Sequence, residues 1–476
     1  MKVKSFSIVL LTFFSSFGIF ITCTPNQKKG HPEYISRSCG SCHLTPEPSS
    51  LPSDTWESSV LPKMSEYFMW DKFSSYAYAN KAFYNKLGQT PMDDETWNAI
   101  LEYYIENGLS SPVVLDALEV PAQEFFQERV VRIPGEPSVS AIAIDDNQNI
   151  WFANMGGLYS FDNNLQLGDS LQLSQQITQI IPLDDKQFYL LGTSTIDPND
   201  APLGSFVEID LEDNTSHTLI SGLKRPVYLF QKDDEFLISE FGFHQGGLLN
   251  FNSEDQSKSY IHNLPGTYRI KEMALSTGEK VIVYSVGQGM EGIYLLKIDD
   301  DSYSNVPLLR FPPEYGVSDF DVFDFNNDGL DDLVVVNGDN ADYSIVPKGY
   351  HGVSLYQNMG DTKFKEIYRQ PLHGPTQVKF VDMNHDSLID LVVTCYFPVR
   401  RKEGILLFKS ADSLFNDFDI YSVESSILGD WMVMEVDDLD RDGDEDIIIG
   451  GYSFGPKNNM SENIGERADL LILRNL

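Results

Sequence analysis

The sequence predicts a multidomain chain in which a small all-α domain precedes an all-β propeller, most simply one of seven blades. Three observations carry this reading: a compact Cys/His motif at residues 39–43 followed by helical periodicity, short β-like runs beyond Pro121, and an acidic phrase that returns three times near the C-terminus. At 476 residues the chain is too long for one ordinary core. Its 42% hydrophobic and 12% aromatic content argues against disorder. The 71 acidic against 34 basic residues give a formal charge of −37, which must sit on the surface or be neutralised by cations. No basic cluster appears, so nucleic acid is not an expected partner.

At the N-terminus, Lys2 and Lys4 precede an apolar run from Ser5 to Ile21, the pattern of an export signal over residues 1–22. The run ends in Phe20-Ile21-Thr22-Cys23, which resembles a lipoprotein box and makes Cys23 the expected lipid carrier. Residues 23–30 then form a linker. The expectation is a periplasmic or cell-surface lipoprotein that meets the membrane through its lipid anchor only. An uncleaved anchor or an ordinary secretory signal would leave the rest of the chain on the same side.

The helical domain is expected over residues 31–121. Cys39-Gly40-Ser41-Cys42-His43 has the C-x-x-C-H form of covalent haem attachment, in which two thiols add to the porphyrin vinyl groups and the adjacent histidine reaches the iron. Cys39 and Cys42 are one helical turn apart and so can face one porphyrin edge. A zinc site would want a second Cys/His pair and a dithiol motif a βαβ context; neither follows. Later, Met92-Asp93-Asp94-Glu95-Thr96-Trp97 opens a helix whose Trp97, Ile100, Leu101 and Tyr104 share a stripe. With Thr45-Pro46-Glu47-Pro48, Trp56 and Val60-Leu61-Pro62-Lys63-Met64, this segment resembles a small cytochrome c domain. The resemblance implies one haem c, with His43 as proximal ligand and a methionine as distal ligand. Met64 is the assigned residue and Met69 the reserve; Met92 sits too close to the last helix to reach easily.

The propeller is expected over residues 122–476. The repeated phrase reads Asp324-Phe-Asn326-Asn-Asp328-Gly329-Leu-Asp-Asp332, then Asp382-Met-Asn384-His-Asp386-Ser387-Leu-Ile-Asp390, then Asp438-Leu-Asp440-Arg-Asp442-Gly443-Asp-Glu-Asp446, each followed by an apolar strand. Oxygens at alternate positions of a tight loop suit a hard cation, and the protein is expected to hold up to three calcium ions through these twelve residues. Ser387 replaces the glycine that most easily makes the turn, so the second loop is expected to be the weakest. Weaker units run from Ile142 to Phe161, Ile177 to Ile209, Val227 to Phe251 and Ile270 to Ile298, with turns at Asp145-Asp146, Asp184-Asp185, Asp233-Asp234 and Thr277-Gly278. Four weak units and three strong ones give seven, a number at which four-stranded blades close well. The strong units resemble FG-GAP or VCBS repeats of the integrin α-subunit type, and the whole order resembles exported bacterial fusions of a cytochrome c domain with such repeats.

These parts suggest electron transfer, with the propeller docking a redox partner protein or a small-molecule donor. Two other classes stay open: a haem-coupled propeller dehydrogenase of quinoprotein type, and an adhesion or scaffold protein. No nucleophile triad or histidine cluster marks a catalytic centre. Cys395, just after Leu391-Val392-Val393-Thr394, reads as a buried small hydrophobe. Aromatic turns at Phe241-Gly242-Phe243-His244, Tyr396-Phe397-Pro398 and Tyr452-Ser453-Phe454-Gly455 mark either a binding face or the sealed ends of blades.

Overall fold

A computed structural model of the chain describes residues 31–41, 43–68, 92–232, 234–275, 278–299, 302–338, 346–412, 415–453 and 467–476. The signal, Cys23, Cys42 and Met69 lie outside the described residues, as do Asp233, Thr277, Phe454 and Gly455. Among the described residues no helix is long and apolar enough to cross a membrane.

Seven antiparallel four-stranded sheets make up the β region. Blades 1 to 6 span 141–172, 176–223, 226–262, 267–310, 317–371 and 375–422, and each contributes its strands in chain order from centre to rim. Blade 7 takes Trp431–Asp437, Asp446–Gly451 and Leu470–Asn475 from the C-terminus and its outermost strand, Phe126–Val131, from the start of the β region. The innermost strands touch one another in sequence, and that of blade 7 touches that of blade 1, so the ring is closed. The expected seven blades are therefore present. The four weak units matched the three inner strands of blades 1 to 4 and omitted the outermost one. The reason is physical: the rim strands Leu167–Gln172 and Thr215–Leu223 are largely exposed and carry no apolar alternation.

Strand alternation gives the ring two unlike ends. Turns between first and second strands lie on one face with those between third and fourth. Loops between second and third strands share the opposite, crossover face with the connections between blades. The repeated acidic loops are first-to-second turns, so all three lie on the first face.

The core lies between sheets, where fully buried strands such as Asp332–Asn337, Asp390–Cys395 and Asp446–Gly451 face neighbours on both sides. Cys395 is 1% exposed among these residues, and burial pushes its thiol pKa up. Not all of the charge reaches the surface. Arg269 Nε lies 3.0 Å from Asp319 Oδ1, Lys271 Nζ 2.7 Å from Asp321 Oδ1, and Lys379 Nζ 3.3 Å from Glu435 Oε2, tying neighbouring innermost strands together.

N-terminal to the ring, the described residues between 31 and 112 hold three main helices, α1 (Glu33–Ser38), α2 (Leu61–Tyr67) and α3 (Asp94–Asn107). A π-helical turn at Trp56–Val60 leads into α2. The helices enclose one cluster formed by Ile35, Cys39, Leu51, Trp56, Leu61, Trp97, Ile100 and Tyr104.

Asp319 is 2% exposed and also accepts the Val378 backbone N–H, so Asp319→Ala would strand Arg269 without its partner. The expected loss is about 3–5 kcal/mol of propeller stability. Chemical denaturation of the variant beside wild type checks it.

Candidate functional site

The first site is the helical lobe. Asp93 caps α3 by accepting the Thr96 backbone N–H at 2.7 Å and its hydroxyl at 2.9 Å. The capped helix buries Trp97, Ile100 and Tyr104, three of the four stripe residues. Two aromatic donors then hold the chain that follows residue 43. Trp56 Nε1 donates to the Pro48 carbonyl at 2.8 Å, and Tyr104 Oη to that of Pro46 at 3.1 Å. Cys39 is buried at the start of a 3-10 turn, Cys39–Ser41, directly after α1. Met64 is half-buried against the cluster that contains Cys39, and so is Met92, which the sequence reading had set aside.

His43 is oriented by the backbone of the next residue. Its Nδ1 lies 2.8 Å from the Leu44 carbonyl, which can only accept, so Nδ1 carries the proton and the lone pair is left on Nε2. Burial, with the Arg310 guanidinium in the vicinity, lowers the imidazole pKa and favours the neutral ring. A neutral imidazole with a free Nε2 lone pair is the form that binds iron. The residues present therefore fit a haem iron ligated through His43.

The lobe rests on the crossover face. Val346, in the second-to-third loop of blade 5, packs against the lobe cluster, and Val113 lies against Gly349 of the same loop. The connection between blades 4 and 5 presents Glu314, whose carboxylate oxygens are buried beside Ser50, Glu47 and Tyr104. From there the chain crosses blade 6. Arg400 donates to the Leu115 carbonyl, Glu403 accepts the Leu118 N–H, and Pro121 accepts the Ser422 N–H, before the closing strand begins.

The second site is the set of three acidic loops, which share one geometry. The first-position carboxylate accepts the sixth-position N–H: Asp324 from Gly329 at 2.8 Å, Asp382 from Ser387 at 3.1 Å and Asp438 from Gly443 at 3.0 Å. The fifth-position carboxylates of Asp328, Asp386 and Asp442 accept the next N–H but one. Positions four and six are left-handed in every loop, at Asn327, His385 and Arg441 and at Gly329, Ser387 and Gly443. In blade 7, carboxylate oxygens of Asp438, Asp440 and Asp442 lie within 4.8 Å of one another.

The ninth acids, Asp332, Asp390 and Asp446, begin the second strands and are at most 1% exposed. Each accepts a backbone N–H from the end of the third strand, Asn358 at 2.7 Å, Ser410 at 2.7 Å and Asn475 at 2.8 Å. Burial, aided by neighbouring acids of the loop, pushes their carboxyl groups up to about 7, 7 and 6. Asp332 Oδ2, Asp382 Oδ1 and Asn384 Oδ1 are buried without a hydrogen-bond partner. Crowded acids with orphaned oxygens are a donor set that a hard cation fits.

The turn of blade 1 shows the alternative. Asp145 there accepts from Asn147, Asn149 and the Trp151 indole at 2.8–2.9 Å, so hydrogen bonds do the work. Two of the aromatic turns use their tyrosines for sealing: Tyr396 and Tyr452 are 3% and 6% exposed, with Tyr396 Oη bonded to the Tyr452 carbonyl and Gln176 Nε2 to Tyr452 Oη, whereas Phe241, Phe243 and Phe397 are half-buried.

The chain matches no family model and no curated protein. Among solved structures it is similar to the extracellular domain of a hybrid two-component system from B. thetaiotaomicron, at 12% identity and TM-score 0.42, over 74% of this chain and 42% of that one. It is also similar to YCF48 bound to D1 peptide, at 8% identity and TM-score 0.47, over 75% of this chain and 100% of that one. A third is the Pan2 WD40 domain of Neurospora crassa, at 13% identity and TM-score 0.42, over 71% of this chain and 89% of that one.

Two outcomes are expected. Burial, with Glu47 nearby, pushes the Glu314 carboxyl up to about 7 from the usual 4.5 of a free glutamate, while Tyr104, Tyr315, Tyr350 and His351 also face it. An acid whose pKa is raised in the docked state stabilises docking fully below about pH 4.5 and loses that contribution as pH rises through 7. Limited proteolysis of the lobe should quicken between about pH 4.5 and 7, and Glu314→Gln should flatten that dependence. In the second loop, Ser387 holds φ 65° where its counterparts are glycines. Ser387→Gly should raise propeller stability by about 0.5–1 kcal/mol, read from thermal unfolding in chelator.

Proposed function

We propose that this chain is an exported electron-transfer protein. It carries one covalent haem c on Cys39, Cys42 and His43, with Met64 as distal ligand and Met69 in reserve. Its propeller is stabilised by calcium and docks a redox partner protein or a small-molecule donor. The observation that carries the reading is His43, whose Nδ1–H is committed to Leu44 so that Nε2 is available to iron, two residues beyond the 3-10 turn that begins at the buried Cys39, while Met64 packs against the cluster that contains Cys39. A bound haem supplies one-electron redox chemistry. The chain's own part is to fix His43, to bury Cys39 and to shield the group with Trp56, Trp97 and Tyr104. Residues 1–22 serve as the signal and Cys23 as the lipid attachment point.

Calcium enters through Asp324, Asn326, Asp328 and Asp332, through Asp382, Asn384, Asp386 and Asp390, and through Asp438, Asp440, Asp442 and Asp446. These loops lie on the face opposite the lobe, which separates the two chemistries in space. A metal bound only by the native form stabilises it by about 2.7 kcal/mol at a hundredfold excess over Kd.

Acid-acetone extraction of the purified protein should leave the haem on the polypeptide, and Cys42→Ala should lose covalent attachment. Colour that leaves wholly with the solvent would overturn the proposal. Met64→Ala should open the sixth iron position to carbon monoxide; the same response from Met69→Ala alone would transfer the assignment. A chelator should lower the propeller Tm while the haem spectrum and its reduction by ascorbate persist.

A further inference from the structure

Blades 5, 6 and 7 share the loop but differ at one position beside it. Pairing of Leu333 with Tyr356, Leu391 with Phe408 and Ile447 with Leu473 sets the residue opposite each ninth acid. That residue is Gln357 in blade 5, Lys409 in blade 6 and Arg474 in blade 7. The equivalence is structural, because the next residue in each case gives its N–H to the ninth carboxylate.

The three side chains meet their loops differently. Arg474 Nη1 lies 3.1 Å from Asp440 Oδ2 and 3.3 Å from Asp446 Oδ2, while its Nη2 donates to the Asn163 carbonyl at 2.8 Å. The guanidinium is thus anchored and takes up the third and ninth acids of the loop. Lys409 Nζ reaches Asp386 at 3.8 Å, a looser contact from a flexible stem. Gln357 brings no charge. In its loop Asp332, 0% exposed, keeps a buried oxygen without a hydrogen-bond partner beside Asp324 and Asp328.

We propose that this cross-strand position sets the calcium affinity of each loop, falling from blade 5 through blade 6 to blade 7, with Arg474 acting as a resident counter-ion. The proposal rests on the calcium reading. A fixed positive charge repels the incoming cation and occupies oxygens that the metal needs, and affinity in such loops follows the charge that the ligands present. The order differs from that expected from Ser387. The strain of Ser387's left-handed φ of 65° is a cost to the loop's own backbone, whereas the cross-strand charge acts directly on the cation.

The test is calorimetric titration of calcium chloride into the chelator-stripped, haem-loaded full chain. Wild type should show graded sites. Arg474→Gln should tighten the weakest by about tenfold, and Gln357→Lys should weaken the tightest by about tenfold. Gln357→Lys breaks no wild-type ion pair, so it decides the matter if Arg474→Gln does not fold. Sites of equal affinity that neither substitution moves would overturn the ranking while leaving calcium in place. Absence of any calcium binding would overturn both.

Discussion

Six residues hold the ring shut. Phe126–Val131 pairs with Leu470–Asn475 along its whole length, and without it blade 7 would have three strands and an open edge. The side chain of Asp469 reinforces the joint by accepting the Ile133 N–H at 2.7 Å. Everything N-terminal to the closing strand is positioned by it. The helical lobe must reach that strand through a linker laid over blade 6, which confines the lobe to the crossover face.

This confinement sorts the chemistry of the molecule by end. One face gathers the acidic turns, whose charge calls for cations. The other carries the lobe, the sealed aromatic turns and the buried Glu314 contact. Between them, ion pairs such as Arg269 with Asp319 bind the innermost strands into a rigid wall. The proposed haem and calcium sites would therefore share a scaffold but no ligands.

The blade count was legible because the second strands of blades 5 to 7 are fully buried and read as continuous apolar runs behind a repeated acidic phrase. Rim strands were not legible, since Leu167–Gln172 and Thr215–Leu223 meet mostly water. The closing strand Phe126–Val131 was also missed, because its partner lies at the far end of the chain and no local signal announces the pairing. In the lobe, the helix through Trp97 and Tyr104 followed from spacing, whereas Met64 was singled out only through the resemblance to a cytochrome c domain. The cross-strand series Gln357, Lys409 and Arg474 could not be aligned until the strand register was known.

The pairing of first and last strands also imposes an order of events on the newly made chain. Ile133 and Asp469 stand 336 residues apart, so the loop to be closed is nearly the whole β region and its closure is entropically late. Until Leu470–Asn475 emerges, Phe126–Val131 waits as an unpaired edge. The helical lobe lacks such a dependence for its internal contacts, because all the described members of its cluster except Val346 precede the ring. A chain of this design can complete its N-terminal module first and commit to the wheel only once Leu470–Asn475 has been made.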